Sequence, residues 1–307
     1  MTREEINKDK QNELDEENTR NTIKKIIKIF IKVTCILILF VLVFFSYNTY
    51  ISTVKVKVRE YRLINKKIPD SFNGIKIIQF SDLHYGRTML MENVKSIKKM
   101  INMRKPDIIV FTGDLIDSKY KISDKEKEQL IKELSSLKAT LGKYAVFGNE
   151  DDDELLSLYN QAGFIILNND YDLVFNSDNN PILLIGLGSL IKDKQSIDDG
   201  FKYFKEENNN KDIYTIVMVH EPDSIIDISS LYEPDLVIAG HSHNGNVIVP
   251  FINYGIDKEN GAKKYNGEYY SLGKTKLYIS SGLGTNNKTG IRLFCRPSIN
   301  FFRISNS

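Results

Sequence analysis

Residues 75–84 read IKIIQFSDLH, a largely apolar run that ends in an aspartate and a histidine. A short apolar run rich in β-branched residues is typical of a buried strand. Runs of the same kind recur at 107–111, 144–147, 182–187, 213–219 and 235–239. Longer polar segments with helical character separate them, at 89–104, 122–140, 152–162 and 197–206. This alternation predicts an α/β sheet covered by helices on both faces.

The C-terminal part of the chain is richer in strand-like segments. NVIVP (246–250), KLYIS (276–280) and INFFRI (299–304) follow one another there and indicate a second sheet. Near the start, VKVKV (54–58) alternates with period two, which predicts an outer strand. The fold class expected from these patterns is a layered α/β sandwich.

Polar residues follow five of the predicted strands directly. They are Asp82 and His84, Asp114, Asn149 and Glu150, His220, and His241 and His243. Ligands in open α/β sheets bind at the carboxyl ends of strands, so the five loops are expected to converge on one site. All 4 histidines of the chain belong to this set.

The chemistry of this set indicates a metal centre. Carboxylates and an amide oxygen mixed with imidazoles suit Mn²⁺, Fe or Zn²⁺. Asp-x-His and His-x-His each place two side chains on the same side of an extended segment. The alternative for each single motif is a surface pair or a turn, in which the aspartate caps the next helix. The ordered series on successive strand ends favours two ions that share a bridging carboxylate.

In this order, DLH, GD, GN, H and GHSH resemble the motifs of the calcineurin-like metallophosphoesterases. The longer stretches at 64–86, 240–250 and 279–304 are similar to the bacterial membrane-associated phosphodiesterases of the YaeI/YkuE type. The resemblance covers about residues 54–305. It implies a four-layer αββα sandwich and hydrolysis of a phosphoester by attack of metal-bound hydroxide on phosphorus.

The resemblance also implies a division of the ligands between two ions. The first ion would be held by Asp82, His84, Asp114 and His243. Asp114 would bridge to the second ion, whose other ligands would be Asn149, His220 and His241. Arg87, which follows the first metal loop, is a candidate ligand for the substrate phosphate.

Glu150 departs from the family pattern, which usually reads GNH where this chain reads GNE. The usual histidine is thought to contact the phosphate and act as general acid. A glutamate beside two cations stays unprotonated, because its ordinary pKa of about 4.3 falls further. Loss of general acid catalysis costs about 10²–10⁴-fold in rate. Two hypotheses follow: a modified enzyme for substrates with good leaving groups, or a weakly catalytic metal-binding interaction module. The acids at 152–154 are explained more simply, as the opening of the next helix.

The N-terminal part differs in character from the rest. Residues 1–22 are charged and poor in large apolar side chains, which predicts a disordered tail. Residues 29–47 read IFIKVTCILILFVLVFFSY, long enough to cross a bilayer core. We predict a transmembrane anchor at 23–50 and a catalytic domain at 51–307; a buried helix of a soluble protein is the alternative. Basic residues flank both ends, and the lysines at 24, 25 and 28 favour an N-terminus inside the cell.

The whole composition narrows the possible partners. A net charge of +2 gives no basic excess, so no nucleic-acid partner is expected. The 2 cysteines exclude a disulfide framework and a zinc-thiolate site. The sequence therefore predicts a single-pass protein of the cell membrane with an extracytoplasmic catalytic domain. Its partners would be the lipid bilayer and a phosphodiester or pyrophosphate substrate of a lipid or cell-envelope molecule.

Overall fold

The computed structural model describes residues 3–86, 88–192, 194–206, 212–246, 248, 259–285 and 292–307. The chain separates into two compact units, residues 1–50 and residues 51–307. Its described helices are α1 (Arg3–Val54), α2 (Met91–Met103), α3 (Asp124–Ser135), α4 (Leu156–Gln161), α5 (Ile197–Gly200), α6 (Lys202–Glu206) and α7 (Ile225–Leu231).

The N-terminal unit is formed by α1, a continuous helix whose described side chains are largely exposed. This helix includes the described part of the tail expected at 1–22. Contacts one turn apart accompany this helix, such as Arg20 with Glu16 at 3.9 Å. The most apolar window within Ile6–Ser46 has a mean hydropathy of 2.8, and none of it is buried. It is therefore a candidate transmembrane span. The boundary between tail and anchor stays a prediction.

The strands of the second unit form two six-stranded sheets. In chain order they are β1 (Lys57–Ile64), β2 (Lys76–Phe80), β3 (Ile108–Phe111), β4 (Gly142–Ala145), β5 (Ile165–Ile166), β6 (Asp170–Val174), β7 (Ile182–Gly186), β8 (Thr215–Met218), β9 (Leu236–Ala239), β10 (Tyr269–Leu272), β11 (Thr275–Ile279) and β12 (Ser298–Ser305). The first sheet has the order β1-β12-β2-β3-β4-β5 and the second β10-β11-β9-β8-β7-β6. Strands β2, β3 and β4 are parallel, as are β7, β8 and β9.

Alternate residues of the central strands face different layers of the core. In β3, Ile108 and Val110 pack between the sheets, whereas Ile109 and Phe111 face α2, α3 and α4. In β8, Ile216 packs between the sheets, and the next residue faces the layer that contains α6 and α7. Strands buried on both faces in this way need helices on the outside of each sheet. The four-layer αββα sandwich expected from the sequence is confirmed.

Several strands lie elsewhere than the sequence pattern indicates. INFFRI forms part of β12, which belongs to the first sheet, because β12 pairs parallel with β1 and antiparallel with β2. The outer strand begins at Lys57 and not at residue 54, since its register starts opposite Ser298 and α1 runs to Val54. Strands β5 and β6 were not expected: β5 has only two residues, and β6 is polar along much of its length. Most of NVIVP lies outside the described residues.

Candidate metal centre

The loops after β2, β3, β4, β8 and β9 meet at one edge of the sandwich. Backbone hydrogen bonds fasten the first two together, from Asp82 N to the Gly113 carbonyl at 2.9 Å and from His84 N to the Asp114 carbonyl at 3.1 Å. At Gly113, where φ is +92°, an added Cβ would lie 2.4 Å from the backbone nitrogen of Gly148. The glycine is therefore required for the close approach of the β3 and β4 loops.

Five of the predicted ligands adopt left-handed backbone conformations. Their φ angles are 50° at Asp82, 43° at His84, 60° at Asp114, 64° at His241 and 46° at His243. Each such residue costs about 1–3 kcal/mol, and strain of this kind concentrates at functional sites. The surrounding fold thus holds these side chains in positions that the local chain does not favour.

Asp82, His84 and His243 form one buried group of potential ligands. The Nε2 atoms of the two histidines are 3.3 Å apart. Asp82 Oδ1 lies 3.5 Å from His243 Nε2 and 4.0 Å from His84 Nε2. One carboxylate oxygen and two imidazole nitrogens therefore face a common point.

A second buried group contains Asp114, His220 and His241. His220 Nε2 is 3.2 Å from Asp114 Oδ2, 3.2 Å from His241 Nδ1 and 3.1 Å from Asn149 Oδ1. Asp114 Oδ2 is also 3.7 Å from His84 Nε2, in the first group. The Asp114 carboxylate thus lies between the two groups, where a bridging ligand is needed.

The residues present fit two divalent cations. Asp114 Oδ2 is buried and accepts no hydrogen bond of good geometry from any described residue. A buried carboxylate oxygen without a partner carries a large desolvation cost, which a bound cation would offset. The mixed set of carboxylate, imidazole and amide donors is the kind that binds transition metals and zinc.

The electrostatics of the metal-free site point in the same direction. Burial acts against charge on His84, yet the carboxylates of Glu150, Asp114 and Asp82 raise its pKa to about 9. Burial likewise opposes charge on His220, but Asp114 and Asp82 raise its pKa well above the ordinary value. Burial acts to raise the pKa of Asp114, but the two histidines outweigh it and lower that pKa. The carboxylates therefore favour positive charge at both histidines.

Three of the four histidines also make a close contact through the other ring nitrogen. His220 Nδ1 contacts the Thr112 carbonyl at 2.6 Å, and His241 Nε2 contacts the Asn260 carbonyl at 2.8 Å. A fully buried arginine, Arg292, donates from Nη2 to His243 Nδ1 at 3.0 Å. Acceptors such as the carbonyls of Thr112 and Asn260 fix the orientation of metal-binding imidazoles.

Glu150 lies beside the first group and does not point into open solvent. Its Oε2 is 3.3 Å from His84 Nδ1, and its side chain is only 16% exposed. The same oxygen accepts a hydrogen bond from Ser118 N at 2.8 Å. Burial alone would raise the pKa of Glu150, but the nearby charge of His84 and the hydrogen bond from Ser118 N lower it. The carboxylate is therefore ionised, as expected from the sequence.

Asp151 has a structural role that the sequence reading missed. Its fully buried carboxylate accepts hydrogen bonds from Asp114 N at 2.8 Å, Leu115 N at 2.9 Å, Gly148 N at 2.9 Å and the Tyr159 hydroxyl at 2.9 Å. It thereby clamps the β3 and β4 loops together. Asp152, in contrast, accepts from Glu154 N and caps the next helical turn, as expected.

One further sequence prediction, Arg87 as a ligand for the substrate phosphate, concerns the rim of the site. Arg87 lies outside the described residues. Of the segment 251–274, the described part reaches the site at Asn260, while Tyr269–Leu272 forms the first strand of a hairpin with β11. Arg292 was not expected at the site, and its only sequence signal is its position within an apolar stretch.

Buried carboxylates, imidazoles and an amide that converge at the strand ends of an αββα sandwich suit hydrolysis of phosphoesters by two metal ions. The protein is thus a metal-dependent phosphoesterase, a hydrolase. More specifically, the chain belongs to the calcineurin-like phosphoesterase family, whose profile matches residues 75–245, more than half of the chain. Members of this family use a dimetal centre.

The chain is also similar to several named proteins. The chain is 29% identical over 268 residues to the uncharacterized metallophosphoesterase YkuE of Bacillus subtilis, covering 86% of this chain and 90% of the relative. It is 26% identical to the UDP-2,3-diacylglucosamine pyrophosphatase LpxG of Chlamydia muridarum, covering 77% and 86%. Among solved structures, a dimetal phosphatase from Danio rerio matches 69% of this chain and 88% of its own at 11% identity, with a TM-score of 0.43.

Proposed function

We propose that this protein is a membrane-anchored dimetal phosphohydrolase that cleaves a phosphodiester or pyrophosphate bond. The observation that carries the proposal is the position of Asp114 Oδ2, buried and without a good hydrogen bond between two groups of potential ligands. The ligands would be divided as the family resemblance implies, with Asp82, His84 and His243 on one ion, Asn149, His220 and His241 on the other, and Asp114 shared.

The chain's own residues would prepare the site for catalysis. Two divalent ions bound here would polarise the phosphoryl group and lower the pKa of a bound water. The buried ligand set keeps bulk water away and presents the carboxylates in fixed positions. Glu150 is ionised beside His84 and holds no proton to donate to a leaving group. A substrate whose leaving group departs without protonation therefore suits this site.

This requirement supports a pyrophosphate or an activated diester as the substrate. A phosphate monoester released from a pyrophosphate is a good leaving group, whereas a simple alkoxide is not. LpxG is named as a pyrophosphatase of a diacylated sugar nucleotide, which supports a lipid-linked or cell-envelope substrate for this chain. The candidate membrane span in α1 would place the enzyme close to such a substrate.

The location and the metals are further parts of the proposal. Lysines before the span favour an N-terminus inside the cell, so the catalytic domain would lie outside the cytoplasm. The mixture of oxygen and imidazole donors favours Mn²⁺, Fe or Zn²⁺ as the native ions. No nucleic-acid partner is proposed, since the chain has no basic excess.

Glu150 supports a second candidate function. An ionised carboxylate beside the metals repels an anionic substrate. A metal-binding interaction module with weak catalytic activity would tolerate this repulsion.

Kinetics on the full chain in detergent separate the two functions. With Mn²⁺ added, we expect turnover of bis(p-nitrophenyl) phosphate and of a UDP-linked lipid pyrophosphate. Binding of two ions without hydrolysis of either compound above the buffer rate would favour the interaction module.

A further inference from the structure

We propose that Glu150 is a positioning residue for His84. Its carboxylate oxygen lies 3.3 Å from Nδ1 of that histidine, without the geometry of a hydrogen bond. With the ions bound, the carboxylate would accept the Nδ1 proton and direct Nε2 toward them. The inference rests on the proposed dimetal function and assigns a role to the residue that replaces the usual histidine of the family.

The two ring nitrogens of His84 contact different residues. Nε2 is the atom that lies 3.3 Å from His243 Nε2, 3.7 Å from Asp114 Oδ2 and 4.0 Å from Asp82 Oδ1. Nδ1 is the atom that lies 3.3 Å from Glu150 Oε2. The lone-pair directions of the two nitrogens diverge, so a group on Nδ1 does not share the ion that Nε2 faces. Glu150 therefore contacts the ring at the nitrogen that does not face Asp82 and His243, and its carboxylate also lies within 4.8 Å of a ligand atom of Asp114.

The carboxylate of Glu150 is itself fixed by the main chain. Its Oε2 accepts from Ser118 N at 2.8 Å, in the loop after β3. Its own backbone nitrogen donates to Asp114 Oδ1 at 2.8 Å, so the residue also holds the proposed bridging ligand. One residue thus connects the loops after β2, β3 and β4. A carboxylate anchored in this way can set the orientation of an imidazole.

His84 differs from two other histidines of the site because the group beside it, the Glu150 carboxylate, is charged. His220 and His241 are held by neutral backbone carbonyls of Thr112 and Asn260. A carboxylate partner fixes the tautomer with the proton on Nδ1 and raises the basicity of Nε2 as a ligand. His84 should therefore bind its ion more tightly with Glu150 present than with a neutral side chain there.

The test measures metal binding and not only activity. Metal-free full-length protein in detergent is titrated with Co²⁺ by calorimetry, and the d–d absorption of the bound ions is recorded. The variants are Glu150→Gln and Glu150→Ala, with Glu154→Gln as the matched control, since that exposed acid lies four residues further on, in the next helical turn. Thermal unfolding of each metal-free variant verifies that it is folded.

We expect Glu150→Ala to weaken one of the two Co²⁺ dissociation constants by about 10–100-fold. The second constant should not change, and the spectrum should keep the same coordination number. Glu150→Gln should lose less Co²⁺ affinity, because its amide oxygen can accept a hydrogen bond from His84 Nδ1. Glu154→Gln should bind both ions as the unchanged protein does.

Three results would overturn the inference, each in a different way. Unchanged dissociation constants in Glu150→Ala would leave Glu150 without a role toward His84. A drop in coordination number would make Glu150 a direct ligand. An unaltered chain that binds fewer than two ions would refute the proposed dimetal function and the inference with it.

Discussion

The close approach of the β3 and β4 loops gives a quantitative prediction at Gly113. An alanine there would keep φ at +92° and place its Cβ 2.4 Å from Gly148 N and 2.9 Å from His220 Nδ1. The left-handed conformation costs a residue with a side chain about 1–2 kcal/mol. The overlap with backbone atoms adds about 1–3 kcal/mol, because neither loop can yield without moving the other. We therefore expect Gly113→Ala to lower the free energy of unfolding by about 2–5 kcal/mol.

Gly74→Ala is the matched control for this substitution. Gly74 has a similar φ of +83°, and an added Cβ there meets nothing within 4 Å. It should therefore lose only the conformational part, about 1–2 kcal/mol. The difference between the two variants isolates the cost of forcing the loops apart.

Urea unfolding of the full chain, followed by near-ultraviolet circular dichroism, measures both values. The signal comes from tyrosine and phenylalanine, since the chain has 16 of each and no tryptophan. Metal titration provides a second measurement, because displaced loops move Asp114 and His220. Gly113→Ala should bind the ions more weakly, and Gly74→Ala should not. Equal losses of stability with unchanged metal affinity in both variants would refute the close-approach argument.

Three other predictions address the ligands, the protons and the helix layer. Asp114→Asn should reduce the affinity for both ions, because it removes the shared charge; calorimetry that finds one constant unchanged would contradict the bridging role. Metal affinity should rise with pH up to about 9, because the raised pKa of His84 means that an ion must displace its proton below that pH. Titrations in buffers of different ionisation enthalpy should detect the released protons. A pH-independent affinity would exclude this coupling. Ser123→Ala should lower the free energy of unfolding by about 0.5–2 kcal/mol without changing metal binding, since it removes the capping box of α3 with Glu126; an unchanged unfolding midpoint would show that the cap is not needed.

Much of the site was predictable because the fold brings strand ends together by rule. Asp82, Asp114 and His220 each follow a strand that its apolar residues mark clearly. Parallel strands of a sheet end at the same edge, so the order of these motifs along the chain was enough to place them near one another. The layer structure followed in the same way, from strands apolar on both faces.

The remaining features depend on contacts between distant segments. β12 lies between β1 and β2 in the first sheet, although it comes last in the chain, because its backbone pairs with both. Asp151 reads as one acid among several, and only its four buried donors distinguish it. Arg292 reaches His243 from 49 residues away. No local pattern encodes such partners.

Position 150 shows most clearly which features the sequence determines and which the tertiary structure determines. The sequence by itself determined that a glutamate replaces the usual histidine within an otherwise complete set of metal-binding motifs. The tertiary structure decided that its carboxylate lies 3.3 Å from Nδ1 of His84. The reason is physical: composition sets the charge of a side chain, but its direction is set by the donors around it. Here the donor is Ser118 N and the neighbouring ring is that of His84, on two other loops that only the folded sheet brings within reach.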